Sequence, residues 1–277
     1  MPHTTLVTPE QLAAGLKEGW VVVDCRFSLA DPDAGLAAYH LGHLPGAFYA
    51  HLDRDLSGPI VPGVTGRHPL PDPAVFRRTM GGWGIRPGTQ VVAYDDGPGA
   101  IAARLWWLLR RHGHEASAVL NGGFRAWEAE NRPVERAIPS ELTGTYPERP
   151  PLAAIGDPSD QGLVLVDARA PERFRGEVEP IDPVAGHIPG AASRPFSLNV
   201  DGDGRFRDPA ELRRRFVDLG PPEQQLHYCG SGVTAAHNLL ALEVAGLSGG
   251  RLYPGSWSEY VTDPQRPVAS GEGQVGS

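Results

Sequence analysis

With 277 residues, 40% of them hydrophobic and 21% charged, the chain is long enough for one large or two ordinary globular domains with a proper core. Lys and Arg number 25 against 33 Asp and Glu, a formal charge of −8, and no basic run stands out to bind a nucleic acid or an anionic membrane surface. A small anionic substrate is not excluded, because a pocket can be locally basic on an acidic protein.

The segment MPHTTLVTPEQLAAGLKEGW has neither the charged start nor the apolar stretch of a secretory signal. Within it the pattern predicts a helix over 9–17, opened by Thr8-Pro9 with Gln11 three residues on. A buried strand follows at 21–24, then a helix at 73–80 behind Asp72-Pro73, a strand at 91–94, an apolar helix at 100–112 and a strand at 118–120. The Pro-rich stretch 136–158 reads as a linker. Beyond it, strands at 163–167, 226–228 and 251–253 alternate with helices at 209–218, behind Asp208-Pro209 with Glu211, and at 235–245. Strands alternating with helices imply a mostly parallel sheet covered on both faces. The apolar runs 20–23 and 105–109 are too short to span a bilayer.

The two halves repeat each other. VVVDCRF, GHLPGAFY, DPAVFRRTMGGWGI, QVVAYDDGPGA, VLNGGFRAW and NRPV in the first correspond, in order, to LVLVDAR, GHIPGAAS, DPAELRRRFVDLG, QQLHYCGSGVTA, LYPGSWSEY and QRPV in the second. The expected organisation is a domain over 1–135, the linker 136–158, a second domain over 159–268, and a small polar tail over 269–277 expected to be disordered. Only two cysteines occur, Cys25 and Cys229, too few for a disulfide scaffold, so a reducing cytoplasm is the expected compartment.

Chemistry concentrates after the strand at 226–228, where Cys229-Gly230-Ser231-Gly232-Val233-Thr234 leads into a helix. A short Gly-containing loop there turns backbone N–H groups toward one centre, and the helix N-terminus adds partial positive charge. A thiol at that centre would ionise near neutral pH and act as a nucleophile, and the same cradle would suit an anionic persulfide. The alternative is a buried free cysteine at a strand end. The repeat bears on the choice: Asp95 stands opposite Cys229, so the fold itself does not require a cysteine there.

CGSGVTA, the doubled GH-[IL]-PGA motif and YPGSW resemble the two-domain rhodanese family, with the loop closer to 3-mercaptopyruvate than to thiosulfate sulfurtransferases. The resemblance runs from about Val7 to Val268 and implies an α/β fold of two tandem rhodanese-like domains, each a mostly parallel sheet flanked by helices. It implies that Cys229 takes a sulfane sulfur from a small donor as a persulfide and passes it to a thiol or cyanide, with no cofactor. The acceptor implied is a small thiol or a thioredoxin-like protein, and nothing demands more than a monomer. Arg173, in DARAPERFRG, matches the family arginine that holds the donor's anionic group, a task suited to a guanidinium fork. Gly230, Gly232, Val233 and Thr234 would complete the substrate-binding loop. The mercaptopyruvate enzymes also join a loop serine, here Ser231, to an Asp and a His of the other domain, matched by Asp53 in AHLDRDL and His68 in GRHPLP. That would place the site at a cleft between domains. Taken by spacing alone, Asp53 and His68 are ordinary loop residues, though the insertion 57–69 carrying His68 has no equal in the second half.

One departure concerns the donor: Glu179-Pro180 is followed by Ile181, where the mercaptopyruvate enzymes usually carry a second arginine. Thiosulfate enzymes place basic residues in the active loop, and this loop has none, so the expectation leans to mercaptopyruvate with a thiosulfate-specific enzyme as alternative. A non-catalytic binding module with Cys229 incidental is a third reading. Cysteine phosphatases need an arginine six places after the cysteine, where this chain has Ala235. His43 and His187 recur in both halves and are expected to be structural; Cys25 is expected to be packing, Trp257 to border the pocket, and no metal site is expected.

Overall fold

The computed structural model describes residues 1–272, and they divide into two compact units. The first comprises Met1–Gly58, Leu70–Leu152 and Gly202–Phe206; the second comprises Pro59–Pro69, Ala153–Asp201 and the chain from Arg207 onward. The insertion around His68 therefore packs with the second unit, although it lies in the first half of the sequence.

The first unit runs β1 (Leu6–Val7), α1 (Pro9–Lys17), β2 (Val21–Asp24), α2 (Ala34–Leu41), β3 (Phe48–Tyr49), α3 (Pro73–Gly82), β4 (Val91–Tyr94), α4 (Ala102–Arg111), β5 (Ser117–Leu120) and α5 (Gly123–Ala129). Its five strands pair in parallel in the order β1-β5-β4-β2-β3. The second unit runs β6 (Ala154–Ile155), β7 (Val164–Asp167), α6 (Pro171–Phe174), β8 (Ala192–Ser193), α7 (Pro209–Phe216), β9 (Gln225–Tyr228), α8 (Thr234–Val244), β10 (Arg251–Leu252) and α9 (Ser256–Tyr260). Its strands, also parallel, follow the corresponding order β6-β10-β9-β7-β8. The sequence repeat is thus a repeat of topology, strand for strand.

The helix starts follow from their caps. Thr8 Oγ1 accepts from Gln11 N while Gln11 Oε1 accepts from Thr8 N, closing the capping box. Asp72 caps α3 through the N–H groups of Ala74 and Val75, and Asp208 caps α7 through those of Ala210 and Glu211. Helix α3 extends past residue 80 through Gly81 and Gly82, and the backbone of Gly144 packs where a Gly81 side chain would stand. Helix α4 begins at Ala102, two residues later than its apolar pattern suggests, because Asp95 takes the N–H groups of Ile101 and Ala102. The short edge strands and the helices α5, α6 and α9 have patterns too brief to be read from periodicity, and α2 has no side-chain cap to mark its start.

The same buried polar skeleton braces each sheet. Arg26 forks onto Asp24, reaching Oδ2 at 2.6 Å, and also donates to Gly42 O at 2.7 Å. Arg169 forks onto Asp167 at 2.7 Å and donates to Gly186 O at 2.6 Å. Tyr94 Oη accepts from Leu44 N and Tyr228 Oη from Ile188 N, each at 3.2 Å. His43 and His187 are structural: their Nδ1 atoms meet Tyr39 O and Phe174 O, and their rings stack on Tyr39 and Phe174 at 3.9 and 3.8 Å. Leu12, Val22, Val92, Leu120 and Trp127 fill one core, and Phe174, Ile188, Leu226, Tyr253 and Trp257 fill the other. Cys25 is fully buried, and burial, reinforced by Asp24, pushes its thiol well above the usual range, as suits a packing residue.

Ala269 exchanges backbone hydrogen bonds of 2.8 and 2.9 Å with His187 in an isolated antiparallel bridge, so the start of the expected tail is tied down; residues 273–277 lie outside the described residues. The expected linker 136–158 contains β6, which pairs with β10.

His227, on β9, is fully buried, and burial lowers its pKa from 6.5 to about 3. Between those values the unfolded chain binds a proton that the native state refuses, so the neutral imidazole contributes stability above pH 6.5 that is lost as the pH falls. His227→Phe removes that proton uptake. Wild-type stability should therefore fall relative to the variant by about 1.4 kcal/mol per pH unit below 6.5, read by urea unfolding at pH 6, 5 and 4.

Candidate active site

In a parallel α/β sheet, ligands gather where strands end and helices begin. In the first unit that junction, after β4, is filled from within. The Asp95 carboxylate accepts from the backbone N–H groups of Gly97 (3.0 Å), Gly99 (2.9 Å), Ile101 (2.9 Å) and Ala102 (3.2 Å). The loop is a ready cradle for negative charge at the start of α4. A cavity of about 940 Å³ in this unit, lined among others by Trp20, Gln90, Ala116 and Arg149, lies where β4 and β5 begin, away from that junction.

In the second unit the corresponding junction holds Cys229, directly after β9, with α8 starting at Thr234. Cys229 is 2% exposed, and Ser231 and Val233 are buried with it. The segment after β10 forms the floor. Cys229 N donates to Ser256 Oγ at 3.1 Å, Trp257 N to Cys229 O at 2.9 Å, and Ser258 N to Gly230 O at 2.9 Å. Ser256 holds a φ of 53° while fully buried, a strained conformation that aims its hydroxyl under Cys229. Gly232 has a φ of 75°, and a Cβ there would stand 2.3 Å from Pro254 O. Trp257 does not border the pocket: it is fully buried, donates to Val184 O, and carries the Arg169 guanidinium over its ring at 4.7 Å. It belongs to α9 and to the core.

The insertion docks on this floor, with Arg67 N donating to Ser258 Oγ at 3.1 Å. It brings His68, 5% exposed, to Ser231: Nδ1 lies 2.7 Å from Oγ. Asp53 belongs to the first unit, where its N–H donates to His51 Nδ1 at 3.1 Å.

Arg173 and Arg67 both stand over Gly230. A methyl carbon at Gly230 would lie 2.8 Å from Arg67 Nη2 and 3.6 Å from Arg173 Nη1. Arg173 forks onto Glu179 at 2.7 and 3.1 Å and reaches Asp182 at 3.1 Å, and Arg67 pairs closely with Asp182. Burial opposes the Glu179 carboxylate, but Arg173 and backbone N–H groups outweigh it and hold its pKa below normal. Burial raises the pKa of Asp182, with Arg67 partly offsetting it. Arg67 and Asp182 were not singled out from the sequence. Arg67 adjoins His68 in GRHPLP, and it brings to this loop a second guanidinium that Ile181 does not supply.

The chain belongs to the Rhodanese-like domain family, whose model matches residues 8–130 and 153–263. It is 50% identical to a Pseudomonas aeruginosa protein named "Probable 3-mercaptopyruvate sulfurtransferase", over 98% of this chain and 100% of that one. It is 33% identical to a thiosulfate sulfurtransferase of Corynebacterium glutamicum, covering 84% and 82% of the two chains. A solved 3-mercaptopyruvate sulfurtransferase from Leishmania major superposes with a TM-score of 0.83 at 34% identity, over 96% of this chain and 76% of that one. Among the described residues, no helix is long and apolar enough to cross a membrane.

The geometry of Gly232 is directly testable. Gly232→Ala must either give up the positive φ or push Pro254 away, so it should cost about 2–4 kcal/mol in denaturant unfolding. A loss below about 1 kcal/mol would show that the loop tolerates another path.

Proposed function

We propose that this chain is a sulfurtransferase that forms a persulfide on Cys229, with 3-mercaptopyruvate the preferred donor. The supporting observation is the pair of guanidinium groups, Arg67 and Arg173, standing over Gly230 beside Cys229. In this reading the two arginines bind the donor carboxylate, and Cys229, at the start of the loop that leads into α8, is the nucleophile. Gly230 leaves room for the two guanidinium groups and Gly232 lets the loop close on Pro254, while Val233 and Thr234 complete the loop. The thiolate attacks the donor's sulfur: an S–S bond forms, the C–S bond breaks, and its electron pair passes to the carbon as an enolate, which takes up a proton to give pyruvate. Ser231, coupled to His68, polarises the carbonyl and moves protons there. A thiol or cyanide then attacks the outer sulfur, and the Cys229 thiolate leaves. The persulfide carries the sulfur, so the step uses no cofactor. We take the protein to act as a monomer in a reducing, cytoplasmic setting, consistent with two free cysteines.

Two features favour mercaptopyruvate over thiosulfate. The Ser231–His68 contact serves a carbonyl, which thiosulfate lacks. Arg67 and Arg173 are balanced by Glu179 and Asp182, an arrangement better matched to one incoming negative charge than to two.

Thiocyanate formation in the presence of cyanide should be faster with mercaptopyruvate than with thiosulfate, and Cys229→Ser should abolish both. Ser231→Ala should lower kcat with mercaptopyruvate by about 10²-fold or more and leave thiosulfate turnover within a few-fold. Equal losses with both donors would remove Ser231 from carbonyl chemistry, and activity surviving in Cys229→Ser would overturn the persulfide.

A further inference from the structure

The donor site as described already contains a carboxylate. Asp182, its side chain 3% exposed, pairs with Arg67 and lies 3.1 Å from Arg173 Nη2. These are the same guanidinium groups that stand over Gly230. Glu179 is held differently: it takes Arg173 through two nitrogens and also accepts from the N–H groups of Ile181 and Asp182, each at 3.1 Å. It is an anchor that keeps Arg173 in place whatever else binds. Arg67 is less committed, since its buried Nε has no hydrogen-bond partner among the described residues.

We propose that Asp182 is a built-in competitor for the donor, occupying Arg67 and Arg173 when the site is empty and yielding them when an anionic donor arrives. The inference rests on the sulfurtransferase reading of this site and adds a specificity-determining residue to it. Its physical basis is charge and valence. Two cations already neutralised by two carboxylates attract a further anion weakly, and a guanidinium shared with Asp182 offers fewer free N–H donors to a newcomer. A doubly charged donor is penalised more than a singly charged one, so Asp182 also tilts the choice away from thiosulfate. Nothing in the chemical step requires Asp182 to touch the reacting sulfur.

Asp182→Asn keeps the shape and removes the charge. It should lower KM for mercaptopyruvate about tenfold, lower KM for thiosulfate by more, and leave kcat with mercaptopyruvate within about twofold; Asp182→Glu, which restores the carboxylate, should return KM toward wild type. Pyruvate binding by calorimetry reports on the same guanidinium groups without turnover and should tighten by the same factor in Asp182→Asn. If that variant does not fold, Asp182→Ser is judged by the same titration. An unchanged or raised KM together with unchanged or weaker pyruvate binding would overturn the proposal and make Asp182 a clamp that positions the arginines. Wild-type protein inactive with both donors would instead defeat the sulfurtransferase reading, while the pyruvate titration would still decide the role of Asp182.

Discussion

A parallel strand that runs through a short loop into a helix leaves several backbone N–H groups directed at one point, and that point calls for negative charge. Both units of this protein have such a strand–loop–helix junction at the end of the central strand. In the first, Asp95 meets that demand permanently, receiving four backbone hydrogen bonds, and the junction is chemically closed. In the second, Cys229 stands at the corresponding place, and a thiolate or persulfide can meet the same demand while remaining reactive. The repeated scaffold thus carries a carboxylate held by backbone N–H groups in one half and, at the corresponding place, the free Cys229 in the other.

The surrounding residues follow from holding that junction still. The Asp167–Arg169 pair braces the end of β7 beside the junction, and Arg169 also reaches Glu179 at 3.4 Å, which in turn anchors Arg173. Burial opposes the Arg169 charge, but Asp167 and Glu179 more than compensate and raise its pKa. A buried pair of this kind gives orientation more than net stability, because desolvation offsets much of its attraction. Here the orientation is passed on from the sheet to the guanidinium over Gly230. The floor segment does the same for the backbone, with Ser256 strained in order to receive the Cys229 N–H.

Much of this was legible in the sequence because the repeat supplied its own comparison. The matched blocks gave the two sheets, the capped helix starts, the structural role of His43 and His187, and the contrast between Asp95 and Cys229. The Ser231–His68 pairing was reached only through family resemblance, since 163 residues separate the two and spacing carries no such information. What stayed hidden depends on tertiary docking. The insertion packs with the second unit, which brings Arg67 to Gly230, and an ion pair between residues 67 and 182 leaves no periodic trace. Trp257 shows the opposite error: expected at the border of the pocket, its buried ring is instead the seat of Arg169.

The central claim is that Cys229, and not Cys25, carries sulfur. The most direct measurement is the mass of the reduced protein after exposure to mercaptopyruvate without an acceptor, followed by peptide mapping. The account predicts a gain of one sulfur atom on the peptide containing Cys229, removed by cyanide, with the Cys25 peptide unmodified. No added sulfur, or sulfur found on Cys25 alone, would contradict it.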